Sequence, residues 1–248
     1  MDSGLYIVAT PIGNLGDISA RAVELLRKAD LIAAEDTRHS RRLLDHHGIE
    51  TRCIAYHDHS GERATGRIAA CLAEGGVVAL ISDAGTPLIS DPGYRLVREM
   101  QDAGFAVRPV PGACAAIAAL SASGLPTDRF RFEGFLSARA GARERRLKEL
   151  ALETTTLVFY EAPHRISECL QSMVSVLGAQ REAFLARELT KTFETLRRAS
   201  LGELHCFVEE DSNQRKGEFV LVVAGADPGA ATLDTATAAL LERIAEDI

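Results

Sequence analysis

Twelve consecutive residues, Ser82-Asp-Ala-Gly-Thr-Pro-Leu-Ile-Ser-Asp-Pro-Gly93, constrain this chain more than any other stretch. Before them, Val77–Ile81 is a short aliphatic run of the kind buried on both faces of a parallel sheet. After them, residues 94–103 carry Leu96, Val97, Met100 and Ala103 at helical spacing, with Gly104 as the stop. Asp91 is placed to cap that helix and Pro92 to open it. Two glycines, two prolines and two aspartates between strand and helix are more rigid turn chemistry than a plain connection needs. In an open α/β sheet, ligands bind in the crevice outside the carboxyl ends of the strands, which is where this loop falls. A long structural loop is the competing explanation.

The rest of the chain alternates in the same way. Residues 5–9 read as a first strand and 10–17 as a turn-rich loop. Ile18, Ala22, Leu25, Leu26 and Ala29 mark one face of a helix that Asp17 would cap. Residues 31–34 read as a second strand, ending in Glu35-Asp-Thr-Arg38. Strand, glycine loop, helix, strand and acid also describe a dinucleotide fold, so a nicotinamide enzyme competes. Against it, the glycines are Gly13-x-x-Gly16 with a proline in the turn, and no phosphate-binding G-x-x-x-x-G-K-[ST] occurs. A helix over 62–73 and a strand over 107–110 follow. The small residues of Pro111-Gly-Ala-Cys-Ala-Ala116 permit close backbone approach, to a ligand or to a neighbouring strand.

Ser123-Gly-Leu-Pro-Thr-Asp128 marks a domain boundary, which gives 1–124 as an N-terminal α/β domain and 125–227 as a second. Strands are expected there over 130–136, 155–160, 183–189 and 217–224, with helices over 139–152 and 166–177. Pro228 and Gly229 form a hinge, so 228–248 reads as a linker and the start of a C-terminal helical region, with a helix over 232–248. Two α/β halves with sites at their strand ends imply a cofactor cleft between them.

Composition narrows the function classes. Lys plus Arg is 28 and Asp plus Glu is 35, so the formal net charge of −7 argues against a broadly basic nucleic-acid coat, though not against local basic patches. Five scattered cysteines without C-x-x-C argue against a disulfide framework or a structural zinc site and point to a reducing cytosol. No apolar run approaches a membrane span. His39, His46, His47, His57 and His59 crowd one segment, but they lack helical ligand spacing and lie among Arg38, Arg41 and Arg42, so no metal is expected.

Seven stretches together resemble a family of bacterial ribosomal RNA methyltransferases. They are the Tyr6–Asp17 segment Tyr-Ile-Val-Ala-Thr-Pro-Ile-Gly-Asn-Leu-Gly-Asp, Glu35-Asp-Thr-Arg38, the 82–93 loop, Val110-Pro-Gly-Ala113, Phe159-Tyr-Glu-Ala-Pro-His-Arg165, Ala186-Arg-Glu-Leu-Thr-Lys191 and Lys216-Gly-Glu-Phe219. The resemblance implies the tetrapyrrole methylase fold, with two α/β domains holding S-adenosylmethionine between them. It also implies a homodimer acting on the ribose 2′-hydroxyl of a cytidine in the decoding region of small-subunit ribosomal RNA. The substrate is then that RNA or the assembled small subunit, in the cytoplasm, with no membrane involved.

By the same resemblance Pro11, Ser82, Asp83, Ala84, Gly85, Leu88, Cys114, Ala115, Tyr160 and Ala162 line the cofactor pocket. Asp83 has the charge to face the cofactor's ammonium or sulfonium, or it fixes its own turn. Proton removal from the ribose points to Asp36 or Glu188, with His164 behind them, and Lys191 or Arg38 to a neighbouring phosphate. Arg143, Arg145 and Arg146 on one short helix, Arg38 beside Arg41 and Arg42, and Lys191 with Arg197 and Arg198 are candidate RNA-binding clusters. Solvated helix faces are the plain alternative. Two rival functions remain: a tetrapyrrole or other small-molecule methylase of the same fold, and a non-enzymatic cofactor-sensing or RNA-docking module. The first would suit a Gly-Ala-Gly-Pro-Gly opening loop, where this chain has Ala9-Thr-Pro-Ile-Gly13.

Overall fold

A computed structural model describes residues 1–57 and 61–227. The expected hinge at Pro228 and Gly229, the helix over 232–248 and His59 lie outside the described residues. The chain divides into two compact units between Ala115 and Ala116.

The first unit runs β1 (Gly4–Val8), α1 (Ala20–Lys28), β2 (Leu31–Ala34), α2 (Thr37–His46), β3 (Cys53–Ala55), α3 (Gly61–Ala73), β4 (Val77–Ile81), α4 (Tyr94–Asp102) and β5 (Val107–Val110), and α5 (Ala115–Ala122) begins at its last residue. Its five strands form one parallel sheet in the order β3-β2-β4-β1-β5. The aliphatic runs are explained by burial on both faces. Val77, Ala79 and Ile81 of β4 pack with Ala22, Leu25 and Leu26 of α1 and Leu44 of α2. Val78 and Leu80 face the other way, onto Ile68 and Leu72 of α3 and Leu96 and Met100 of α4. Each fully buried aliphatic side chain contributes ~1.5–3 kcal/mol, which is why neither face carries a polar alternation.

Two capping expectations are corrected. Asp17 sits in a 3-10 turn, and Ser19 caps α1 by accepting from the Ala22 N–H. Asp91 does not cap α4; Gly93 does, at φ 127° and with no side-chain bond, because Ser90 and Gly93 both turn to positive φ and carry the chain past the cap.

The second unit runs β6 (Phe130–Phe135), α6 (Ala140–Leu150), β7 (Thr156–Glu161), α7 (Ile166–Leu177), β8 (Glu182–Arg187), β9 (Thr195–Ser200), α8 (Leu201–Glu210) and β10 (Phe219–Val223). Its mixed sheet has the order β6-β7-β10-β8-β9, with β6 and β7 parallel and the other pairs antiparallel. Leu157, Phe159, Leu185, Leu221 and Val223 share a core with Leu147 of α6, Leu170 and Met173 of α7, and Leu204 of α8. The division at Ala115/Ala116 falls ahead of the 123–128 linker named from sequence. The Tyr160 hydroxyl accepts from the Ala116 N–H at 3.1 Å, and the Thr156 hydroxyl donates to the Pro126 carbonyl at 2.7 Å, so most of α5 is tied to the second unit. The sequence reading also lacked β9 and α8. Thr-Leu-Arg-Arg-Ala-Ser is an edge strand without apolar alternation, while α8 opens on a Ser200–Glu203 capping box and buries Leu201, Leu204 and Val208.

Candidate active site

In the first unit all five strands are parallel, so the loops after β1, β2, β4 and β5 emerge at one edge. After β1 the chain goes to β2, beyond β4; after β4 it goes to β5, beyond β1. The connections leave in opposite directions, which makes the carboxyl ends of β1 and β4 the switch point where such sheets bind ligands. The two loops are locked there. Thr10 and Gly85 exchange backbone hydrogen bonds at 2.8 and 3.1 Å, and the Thr10 hydroxyl donates to the Ser82 carbonyl at 3.2 Å. The Thr86 hydroxyl donates to the Ala113 carbonyl at 2.9 Å, which ties in the loop after β5. Leu88 and Ser90 hold φ of 74° and 65°, left-handed values that cost non-glycine residues energy and that persist only in over-determined loops.

Pro11, Ser82, Asp83, Ala84, Gly85, Leu88, Cys114 and Ala115 therefore all lie in or beside loops of this edge. Pro11, Ser82 and Gly85 are buried, Ala84 is exposed, and Cys114 is a half-buried free thiol. Of the two readings of the small residues after β5, the neighbouring strand explains Gly112, since a Cβ there would stand 2.8 Å from the Cβ of Ala9.

Carboxylates gather at the same edge. The Asp83 N–H donates to Glu35 Oε2 at 3.4 Å, and Asp83 Oδ1 accepts from the Asp36 N–H at 3.1 Å, which joins the loops after β4 and β2. Burial pushes the Glu35 carboxyl above its ordinary value, against the Asp83 N–H bond. Asp91 is raised to about 6, chiefly by burial, with the Ser82 hydrogen bond opposing and the Glu35 and Asp83 charges adding. Glu35 and Asp91 were not among the site residues named from sequence: Glu35 read as the acid that ends β2 and Asp91 as a helix cap.

Asp36 behaves differently. It is exposed, and its Oδ1 accepts from the Arg38 N–H at 2.7 Å and the His39 N–H at 3.4 Å as the N-cap of α2. Those two bonds hold its carboxyl below the usual range, which makes it a poor proton acceptor. The residue expected as a general base is seen here as the N-cap of α2. Arg38 lies exposed in the first turn of α2.

In the second unit the register of β10 against β7 and β8 brings three sequence motifs to one edge. Phe219 pairs with both Glu161 and Arg187, so the loops 161–165, 187–191 and 216–219 adjoin. Lys191 Nζ reaches Glu188 Oε1 at 2.8 Å and Glu218 Oε2 at 2.9 Å, and Glu188 Oε1 also accepts from the Glu218 N–H. Burial alone would raise Glu188, but the Lys191 bond and charge and the Glu218 N–H bring it below its ordinary value. For Lys191, burial works downward and the bonds to Glu188 and Glu218 outweigh it, so the ammonium holds its proton more tightly than usual. Arg187, which sequence reasoning passed over, is buried and donates to the carbonyls of Phe193 and Asn213, pinning this loop and the next. Tyr160 stands edge-on to Phe132 and Phe135, with centroids 5.0 and 5.6 Å away, and Ala162 follows in the same loop.

The α6 cluster is only in part a cationic face, with Arg145 and Lys148 exposed. The Arg143 side chain is 3% exposed, with Nε donating to Ser172 Oγ at 3.0 Å and Nη2 3.7 Å from Glu168. Arg143 is withdrawn as an RNA contact. Its spacing carried the signal, because Arg143, Leu147 and Leu150 recur on the buried helical face. Arg146 is held by Glu133 and Glu149, while Arg145 is exposed. Likewise Arg198 bonds Glu182 at 2.7 Å and Arg197 lies over the Phe207 ring. Among the described residues no three His, Cys, Asp or Glu side chains converge to hold a metal ion, and no helix is long and apolar enough to cross a membrane.

A family model described as Tetrapyrrole (Corrin/Porphyrin) Methylases matches residues 4–205. A Pseudomonas aeruginosa protein named ribosomal RNA small subunit methyltransferase I is 60% identical over 221 residues, covering 89% of this chain and 78% of that protein. A protein of the same name from Escherichia coli O157:H7 is 57% identical over 221 residues, covering 89% and 77%. Among solved structures, a uroporphyrin-III-C-methyltransferase from Thermus thermophilus matches at a TM-score of 0.61 and 20% identity, over 89% of this chain and 93% of that one, a likeness of fold.

Proposed function

Because the chain belongs to the tetrapyrrole methylase family, we propose that it is an S-adenosylmethionine-dependent methyltransferase of small-subunit ribosomal RNA, acting on a cytidine ribose 2′-hydroxyl. The observation that carries this reading is the 60% identity, across 89% of the chain, to a protein named ribosomal RNA small subunit methyltransferase I. The geometry suits it. A loop edge without a phosphate cradle fits a cofactor that carries no phosphate, and the acids Glu35, Asp83 and Asp91 suit one that carries an ammonium and a sulfonium. Cofactor residues are assigned to Pro11, the 82–85 backbone, Leu88, Cys114 and Ala115 in the first unit, and to Tyr160 and Ala162 in the second. The enzyme is read as a cytoplasmic homodimer.

Methyl transfer is an in-line displacement, and holding oxygen, methyl and sulfur in line supplies roughly 7–11 kcal/mol of the barrier. Lys191 keeps its charge, so its part is to hold the phosphate next to the ribose or to stabilise the oxyanion that develops on the 2′-oxygen. Glu188, already bonded to that ammonium, positions it, and the proton of the ribose hydroxyl passes to solvent water. Arg38 and Arg145, both exposed, are assigned to RNA.

Radiolabelled S-adenosylmethionine offered with unmodified small subunits and with free ribosomal RNA tests the reading. Label should enter the RNA as an alkali-resistant 2′-O-methylated nucleotide. Label confined to a small-molecule acceptor, or none at all, would remove it.

A further inference from the structure

Glu161 ends β7 in an unfavourable place for a carboxylate. Its side chain is fully buried, and on the same face of the strand Leu157 and Phe159 belong to the core with Cys169 and Leu170 of α7. A buried charge needs a partner, and Arg165 supplies it from four residues on. Arg165 Nε lies 3.2 Å from Glu161 Oε1, and Nη2 donates to Oε2 at 3.4 Å and to the Leu136 carbonyl. The Cys169 thiol also hydrogen-bonds to Glu161. Between the two members of the pair stands Ala162. Its N–H donates to Glu161 Oε1 at 2.8 Å, and its carbonyl accepts from the Arg165 N–H at 3.0 Å. Both main-chain groups of Ala162 are thus held by the pair, and the Leu136 bond ties its turn to the chain beyond β6. Replacing a buried ion pair by apolar residues of similar volume is often neutral or stabilising, so stability alone does not account for charges at this end of the core.

We propose that Glu161 and Arg165 are positioning residues for the cofactor. They fix the 162–165 turn so that Ala162, its N–H already engaged, meets S-adenosylmethionine by packing in a single conformation. This rests on the assignment of Ala162 to the cofactor in the methyltransferase reading.

Calorimetric titration with S-adenosylmethionine, beside steady-state kinetics on unmodified small subunits, tests it. A Glu161→Leu, Arg165→Met double variant removes both charges, and its melting temperature should match or exceed that of wild type. Its cofactor Kd and KM should nonetheless rise roughly tenfold or more, through lost preorganisation, while kcat at saturating cofactor changes less. A wild-type Kd in that folded variant makes the pair purely structural and overturns the proposal. A fall in kcat with Kd unchanged overturns it too, by placing the pair in the chemistry. If the double variant does not fold, two single variants decide, compared at a temperature where both are folded. Glu161→Gln keeps an oxygen for the Ala162 N–H. Arg165→Lys keeps the charge but loses the planar fork that serves Glu161 and Leu136 together. Kd should rise less in Glu161→Gln than in Arg165→Lys, and wild-type Kd values in both overturn the proposal. Wild-type protein that binds no S-adenosylmethionine would instead remove the methyltransferase reading, and the proposal with it.

Discussion

Asp36 caps α2 with the oxygen that accepts from Arg38 and His39, and the same bonds depress its pKa. Asparagine caps about as well as aspartate. Asp36→Asn should therefore leave the single-turnover methyl-transfer rate within roughly tenfold of wild type, below the 10²–10⁴ that a positioned base supplies. Asp36→Ala should lower the melting temperature while acting on rate no more than Asp36→Asn. A hundredfold loss in the asparagine variant would restore the carboxylate to the chemistry. Lys191 is expected to behave in the opposite way. Its ammonium is anchored by two carboxylates, and removing a fixed charge that faces a developing oxyanion costs about 10²–10³ in rate. Lys191→Ala should show that loss with an unchanged cofactor dissociation constant; a near-normal rate would return Lys191 to a purely structural pairing.

The loop that carries Lys191 holds Glu188 and Thr190 at φ of 53° and 65°, and Arg187 clamps its far end. Gly217 makes room for it: at φ 91°, any Cβ there would overlap the Glu188 side chain. Gly217→Ala should displace the Glu188 carboxylate, lower stability by about 1–3 kcal/mol for the strained backbone, and reduce the rate at least roughly tenfold through a misplaced Lys191. Rates taken well below the melting temperature separate the two effects, and a normal rate would uncouple the loop from catalysis. Elements like this loop were the least legible in the sequence. β4 and α7 could be read almost to the residue, because Val77–Ile81 is aliphatic throughout and Ile166, Leu170, Met173 and Leu177 keep helical spacing. The 187–191 motif was visible, but not that its charges are paired, since Glu218 lies 27 residues from Lys191 and meets it only through strand register. β9 escaped because an edge strand needs no apolar alternation.

At the scale of the molecule, folding, proton binding and ligand binding are linked through the acidic edge of the first unit. The folded-state pKa of Asp91, about 6, lies above its ordinary value of 3.8. Between those values the folded chain keeps a proton that the unfolded chain has released, so stability falls as pH rises through that window and the penalty is complete above it. A ligand cation near this carboxylate would favour the ionised form and relieve the penalty. The melting-temperature increment from saturating S-adenosylmethionine should then be larger near about pH 8 than near about pH 5, where Asp91 is protonated. NAD and ATP, which bring phosphates to an edge of carboxylates, should give no increment at either pH. Asp91→Asn cannot ionise, so without ligand it should be more stable than wild type at the higher pH, and its ligand increment should be nearly flat. Calorimetric scans of both proteins at the two pH values, with and without cofactor, give all four comparisons. An increment in wild type that does not change with pH would mean that the cofactor's positive groups lie away from Glu35, Asp83 and Asp91.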